Sequence, residues 1–243
     1  MRSMLLGAAL VIGACTSANG EGGEAGPAGG DAPAAGARSF QVGAFQSISL
    51  EGAHDVVVTV GEAPSVRAEG DAEALEHLEV RVENGRLRIG TRRGGWFGRD
   101  RGRATVYVTA PSLAGASIGG SGDMRIDRVQ AEAFDASVAG SGDIEIAALA
   151  ARRTEFSIAG SGNIRAAGEA EETEISIAGS GDAHLENFRV RRASVSIAGS
   201  GDASLQASEA VDGSIIGSGN VNVRGTARCS LSKLGSGDLN CGA

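Results

Sequence analysis

The sequence predicts an all-β fold: a right-handed parallel β-helix of about seven coils, preceded by an amino-terminal β cap. Three observations carry that expectation. The first is a recurring corner. Gly-Ser-Gly-Asp opens at Gly120, Gly140, Gly179, Gly199 and Gly235, and Gly-Ser-Gly-Asn at Gly160 and Gly217, at spacings of 20, 20, 19, 20, 18 and 18 residues. A near-constant period of this kind marks stacked repeats. The second is alternation with period two around every corner. Ser stands three residues before the first Gly in each copy, from Ser117 to Ser232, and Ile or Val follows it in six copies, Lys233 in the seventh. Apolar pairs such as Met124 with Ile126 and Ile144 with Ile146 come after the corner. Each copy therefore reads as a short strand, a Gly-rich corner and a second short strand. The third is composition: 39 Gly and only 3% aromatic residues suit thin aliphatic ladders better than a bulky core.

A unit of this size cannot bury its apolar face alone. Coils laid ~4.8 Å apart solve the problem, because the inward Ile, Val and Leu then form one continuous core. Gly at the corner supplies positive φ without a Cβ penalty. The stretches between corners, 147–155 against 166–174, have no six-residue rhythm, and parallel crossovers are right-handed by preference, so that hand is expected.

From the amino terminus, residues 1–15 read as an export signal. Arg2 gives a positive start, and Met4 to Ala14 is apolar but too short for a mature membrane span. Ile12-Gly13-Ala14-Cys15 resembles a bacterial lipobox, which makes Cys15 the lipidated first residue of the mature protein; an ordinary cleaved signal with an incidental Cys is the plainer reading. With Thr16 rather than Asp after it, the resemblance implies sorting to the outer membrane of a Gram-negative cell, facing the periplasm or the surface. Residues 16–38 are Gly, Ala, Pro and acidic residues without periodicity, a flexible linker whose first 22 or so residues reach roughly 25 Å. Residues 39–113 form an amino-terminal β region, with strand-like runs at 45–50, 55–60, 65–68, 78–82, 87–90 and 104–109, and residues 114–243 carry the repeats. Within the β region, the segment 92–101 holds the only Trp amid arginines. It reads as a solvated hairpin loop or, through Arg93, Trp96 and Arg99, as a contact site for an acidic glycan or partner.

The order Phe40, Phe45 and Ile48, then Asp55-Val56-Val57-Val58, Leu87-Arg88-Ile89, the strand before Ala110-Pro111-Ser112-Leu113, and serial Gly-Ser-Gly-Asp resembles the GIN-domain family of autotransporter-adhesin heads, a domain of unknown function. The resemblance spans about 39–241. It implies a right-handed β-helical fold and an envelope location.

Two columns of the repeat are candidates for chemistry. The first is Asp123, Asp143, Asn163, Asp182, Asp202, Asn220 and Asp238. Carboxylates ~5 Å apart repel by roughly 1 kcal/mol in water. Acceptance of N–H bonds from each residue's own corner would offset this and suit Asn equally. Bridging Ca²⁺ would also offset it, yet the two Asn remove charge where a cation needs it. The structural reading is favoured, with no metal or other cofactor. The second column is Ser, with Ser137, Ser157, Ser176 and Ser196 central. It offers a flat hydroxyl face to a polysaccharide, or bonds along itself as a ladder.

Enzymatic signals are weak. His54, His77 and His184 are isolated, and the acids are spread one per coil rather than gathered in a groove. A formal charge of −8 argues against a nucleic-acid partner. Cys229 and Cys241 flank the last corner and, in an exported protein, read as a disulfide in preference to two buried thiols. The function expected is non-catalytic adhesion or binding to glycans or surface proteins, with the membrane reached only through the lipid. The alternatives are a periplasmic structural or signalling partner of another envelope protein and, third, a polysaccharide-active enzyme.

Overall fold

The computed structural model describes residues 35–92 and 102–242. Cys15, the leader and most of the linker lie outside the described residues, as do Arg93, Trp96 and Arg99. In chain order the elements are β1 (Ala35–Phe40), β2 (Ser47–Gly52), β3 (Asp55–Val60), β4 (Ser65–Asp71), the helix α1 (Ala72–His77), β5 (Leu78–Glu83), β6 (Arg86–Thr91), β7 (Ala104–Ala110), β8 (Gly115–Gly120) and β9 (Met124–Ile126). Five long strands follow, β10 (Val129–Gly140), β11 (Ile144–Gly160), β12 (Ile164–Gly179), β13 (Ala183–Gly199) and β14 (Ala203–Gly217), and then β15 (Val221–Gly225), β16 (Arg228–Gly235) and β17 (Leu239–Cys241).

These strands make a β-solenoid of about six turns. That is close to the seven coils expected from the seven corners. Parallel pairing in register stacks Ser117 on Ser137, Ser157, Ser176, Ser196, Ser214 and Ser232, and every corner Gly on the next. Each circuit has three strand segments rather than two. The third, for example Leu149 to Ala151, stacks on Gly168 to Ala170 although the sequence there has no rhythm. Register shifts between Ile146 and Leu149, Arg165 and Ala167, and Leu185 and Arg189 absorb the differing repeat lengths at one side of the coil. Alternation fails to reveal these segments because a bulge breaks its phase.

Inward columns are closed by large side chains set beside small ones. Phe156 is in register with Ala136, and Phe188 with Gly168; both Phe are fully buried. The two rings meet edge to face at 5.8 Å. The buried hydroxyls of Thr154 and Thr173 bond to each other at 2.8 Å, so neither is left unsatisfied in the core.

The amino-terminal region is more than a cap. β2 stacks on β8 and β3 on β9 in parallel register, so Gly52-Ala53-His54-Asp55 is a further corner without the repeat's signature. Parallel stacking continues one layer further, β6 on β2 and β7 on β3, and then the pairing turns antiparallel, β4 on β7, β1 on β4 and β5 on β6. α1 then buries Ala74 and Leu75 against the core. β1 reaches back to Ala35, into the stretch expected to be linker, and pairs with β4 from Ala35 opposite Asp71 to Phe40 opposite Val66. Gly36 lies under the helix, where a Cβ would stand 3.1 Å from Leu75 Cδ1, so this Gly is small for a packing reason.

At the other end, Cys229 occupies the register position of Val211, and Cys241 that of Val223. Their disulfide, with Cα atoms 6.3 Å apart, joins two segments of the last coil where earlier coils use apolar packing. Lys233 takes the column position of Ile215, and its ammonium bonds the Gly237 carbonyl at 3.1 Å, close to Asp238. A charge on the terminal strand discourages further strand addition.

Candidate functional site

The corners use backbone groups of the coil before. In each, the Ser N–H donates to the carbonyl of the first Gly one coil earlier, and in all but the Gly217 corner the second Gly N–H does so too, as Ser161 and Gly162 do to Gly140 at 2.8 and 3.1 Å. The next N–H needs another acceptor, and the Asp/Asn side chain supplies it. Oδ1 of Asp123 accepts from Asp143 N–H at 3.0 Å, Asp143 from Asn163, Asn163 from Asp182, Asp182 from Asp202, Asp202 from Asn220, and Asn220 from Asp238. Asp55 begins the series by accepting from Asp123 at 3.1 Å.

The donor thus belongs to the following coil, not to the residue's own corner as expected. An Asx turn satisfies one loop, whereas this arrangement ties neighbouring coils. Asn163 and Asn220 also donate from Nδ2 to the carboxylates of Asp143 and Asp202, both at 2.9 Å, so Asn offsets charge where it interrupts the column. No group of three or more His, Cys, Asp or Glu is placed to hold a metal among the described residues. Asp182→Asn, which keeps the acceptor, is expected to shift stability by less than about 0.5 kcal/mol. Asp182→Ala, which orphans the Asp202 N–H, is expected to cost about 1–3 kcal/mol in urea denaturation.

The first corner carries a buried titratable group. His54 is 5% exposed; its Nδ1 accepts from Ala104 N–H at 3.4 Å, and Nε2 faces Thr91 Oγ1 at 3.1 Å. That pattern suits the neutral ring with its proton on Nε2. Burial lowers the His54 pKa below the ordinary value of 6.5, with the Asp55 charge opposing. A lowered pKa means that the stability it contributes is present above the unfolded value. That contribution is lost as pH falls through the folded value. Thermal melting of the protein is therefore expected to fall on acidification below about pH 6.5, and His54→Gln to show a shallower fall over that window. Equal slopes for the two proteins would contradict this account.

The Ser column faces outward. Ser137, Ser157, Ser176 and Ser196 line a shallow depression of about 390 Å³ together with outward alanines of the same strands, such as Ala159 and Ala178. A ladder of mutually bonded Ser does not form among the described residues. Ser117 instead donates to the Ile48 carbonyl at 3.3 Å and Ser157 to Glu155 at 3.4 Å. Parallel registration sets like residues side by side, and the strand backbones and acidic neighbours offer nearer acceptors.

A second lateral face is concave. The third strand segments and the Pro111–Leu113 loop line a cleft of about 950 Å³. It is continuous, through Ala150, Glu169, Arg189 and Gln206, with a depression of about 660 Å³. Along its floor Gln130, Ala150, Glu169, Arg189 and Gln206 are successive register partners, one per coil. Beside it runs a strip in which charges pair across coils. Arg152 bridges Glu132 and Glu171 at 3.1 and 3.4 Å, and Arg192 bridges Glu172 and Glu209 at 2.7 and 3.1 Å. Hydrogen bonds from Arg192 and Arg153 hold Glu172 below the usual carboxylate range, and Arg191 does the same for Glu209. None of these cleft residues was singled out by the sequence. No periodic signal marked them, because the row includes Ala150 and the register shifts move Gln206 off the offset from the corner that Gln130, Ala150 and Arg189 share.

The fold recurs among solved structures. A protein of Bacteroides fragilis described as a "putative adhesin" superposes with a TM-score of 0.80 at 22% identity, over 86% of this chain and 98% of its own. A Parabacteroides distasonis protein with the same description gives 0.69 at 21% identity, over 86% and 97%. Another from that organism, described as a "Putative lipid binding protein", gives 0.66 at 22%, over 85% and 96%. Such identities carry the fold alone. Among curated proteins no match is found. The model of the family described as "Putative auto-transporter adhesin, head GIN domain" matches residues 44–227, and the chain belongs to that family.

Proposed function

We propose that the chain is a non-catalytic binding head of the cell envelope, carried on a lipid at Cys15 and engaged in adhesion to glycans or surface proteins. The family description favours an exported, envelope-associated adhesin. The observation that carries the reading is the fate of the acidic residues. Oδ1 of each residue from Asp123 to Asn220 in the Asp/Asn column accepts a backbone N–H of the next coil, so the most regular polar feature of the chain builds the scaffold. Open lateral faces are then what a partner meets. No helix among the described residues is long and apolar enough to cross a membrane.

The test is binding of the purified protein to polysaccharides, peptidoglycan and whole cells. Saturable binding without turnover supports the reading, and turnover or a failure to bind any of them overturns it. Capture of a single envelope protein by crosslinking in the native cell, with no binding to the panel, would favour the structural or signalling alternative. Palmitate labelling that disappears in Cys15→Ser tests the anchor separately.

A further inference from the structure

We infer that the 950 Å³ cleft is a binding site for an uncharged, hydroxyl-rich saccharide chain laid along the solenoid axis. The inference rests on the binding-head reading and names its ligand class and site.

Four features of the cleft support it. First, five of its polar side chains are free. Gln130, Glu169, Asn187, Arg189 and Gln206 have no side-chain hydrogen bond or ion pair among the described residues, while the adjoining Arg152, Arg191, Arg192, Glu171, Glu172 and Glu209 are all paired. The paired strip satisfies itself, whereas in the cleft Arg128, which donates to the Val60 carbonyl at 3.3 Å, and Glu186, 3.6 Å from His184, are engaged and these five are not. Second, what is free is mixed in kind. Amides donate and accept, the carboxylate accepts and the guanidinium donates, which is the complement of hydroxyls that do both.

Third, charge in the cleft is balanced, with Arg128 and Arg189 against Glu169 and Glu186, so a polyanion gains no net attraction. Fourth, the ligand can be read only by side chains. The floor segments around Ala150, Glu169, Arg189 and Gln206 have strand neighbours on both sides within the stack, so their backbone N–H and C=O groups are already spent between coils. An extended peptide added as a strand requires an open sheet edge, and this face offers at most the three-residue Val129–Ala131 segment, too short to hold a strand. Between the polar groups the surface of Ala148, Ala150 and Pro111 is small and apolar, suited to the C–H face of a sugar ring. Register partners ~4.8 Å apart present Gln130, Glu169, Arg189 and Gln206 in one row, interrupted by Ala150, a row of polar groups for an extended chain.

The experiment is calorimetric titration of the purified protein with linear neutral gluco-, manno- and xylo-oligosaccharides, with alginate oligomers and extended peptides for comparison. It is repeated on Arg189→Ala and Gln206→Ala, and on Ser157→Ala on the other face. The expected result is saturable binding of a neutral oligosaccharide, weakened about five- to tenfold by each cleft substitution and unchanged by Ser157→Ala. Melting temperatures should be unaltered, since these side chains are exposed or half-buried. Binding that survives both cleft substitutions overturns the site and leaves the binding-head reading standing. Binding of alginate or peptide alone overturns the ligand class. Whole-cell binding without any oligosaccharide binding overturns the inference only, whereas shortening of the oligosaccharide, or no binding to cells or saccharides, overturns both.

Discussion

Phe156→Ala is expected to remove about 3–5 kcal/mol of stability, the range for deleting a fully buried aromatic ring from a core that cannot collapse around the gap. Collapse is resisted here by construction. Phe156 projects beside Ala136 on one side and Ile175 on the other, in strands whose spacing is fixed by inter-coil hydrogen bonds. Its edge-to-face contact with Phe188 adds to the loss. Because each coil contacts only its neighbours, the effect should concentrate there. Hydrogen exchange should quicken most in β10, β11 and β12, while the amino-terminal strands change little. Phe156→Leu, which keeps most of the apolar volume, should lose less. A loss below about 1 kcal/mol for the Ala variant would contradict the packing described, since that is the typical effect of an unselected substitution.

Gly160→Ala is expected to be comparably severe, at about 3 kcal/mol or more, for two additive reasons. The residue sits at φ 131°, a conformation that an L side chain rarely adopts. A Cβ there would also lie 2.3 Å from the Gly140 carbonyl oxygen, the acceptor of the Ser161 and Gly162 N–H bonds. Relief by separating the coils would stretch the hydrogen bonds that hold the corner together. Ser161→Ala, one residue away and exposed, is expected to stay within about 0.5 kcal/mol. Denaturation of the two variants side by side checks the corner, and equal stabilities would mean that the first Gly is not needed for its conformation.

Much of the fold was readable before any coordinates. The runs expected at 55–60, 65–68, 78–82 and 104–109 are β3, β4, β5 and β7 to within a few residues, because alternation of Val and Ile with polar residues is a local property. The repeated corner pointed to the stacking and to the structural use of Asp and Asn. Other elements had no local signal. β1 is Gly-Ala-rich and is a strand through its pairing with β4. α1 is only six residues long and is stabilised by burying Leu75. Asp55 joins the acidic column from a corner that lacks Gly-Ser-Gly, recognisable only once β2 and β3 are seen stacked on β8 and β9.

The chain's periodicity settles which residues face inward and where it turns, because both follow from alternation and from the φ that Gly permits. Tertiary structure decides everything that depends on one coil meeting the next. The acceptor of each corner N–H lies 18 to 20 residues away in the repeats, as with Asp182 and Asp202 or Asp202 and Asn220. The third strand segment takes its register from its neighbours through bulges that no periodicity records. The cleft exists because those segments stack into a concave face, where Gln130, Glu169, Arg189 and Gln206, far apart in the chain, stand in one row. Spacing along the chain reports what a residue does to its own backbone, whereas a binding face is a property of adjacent coils.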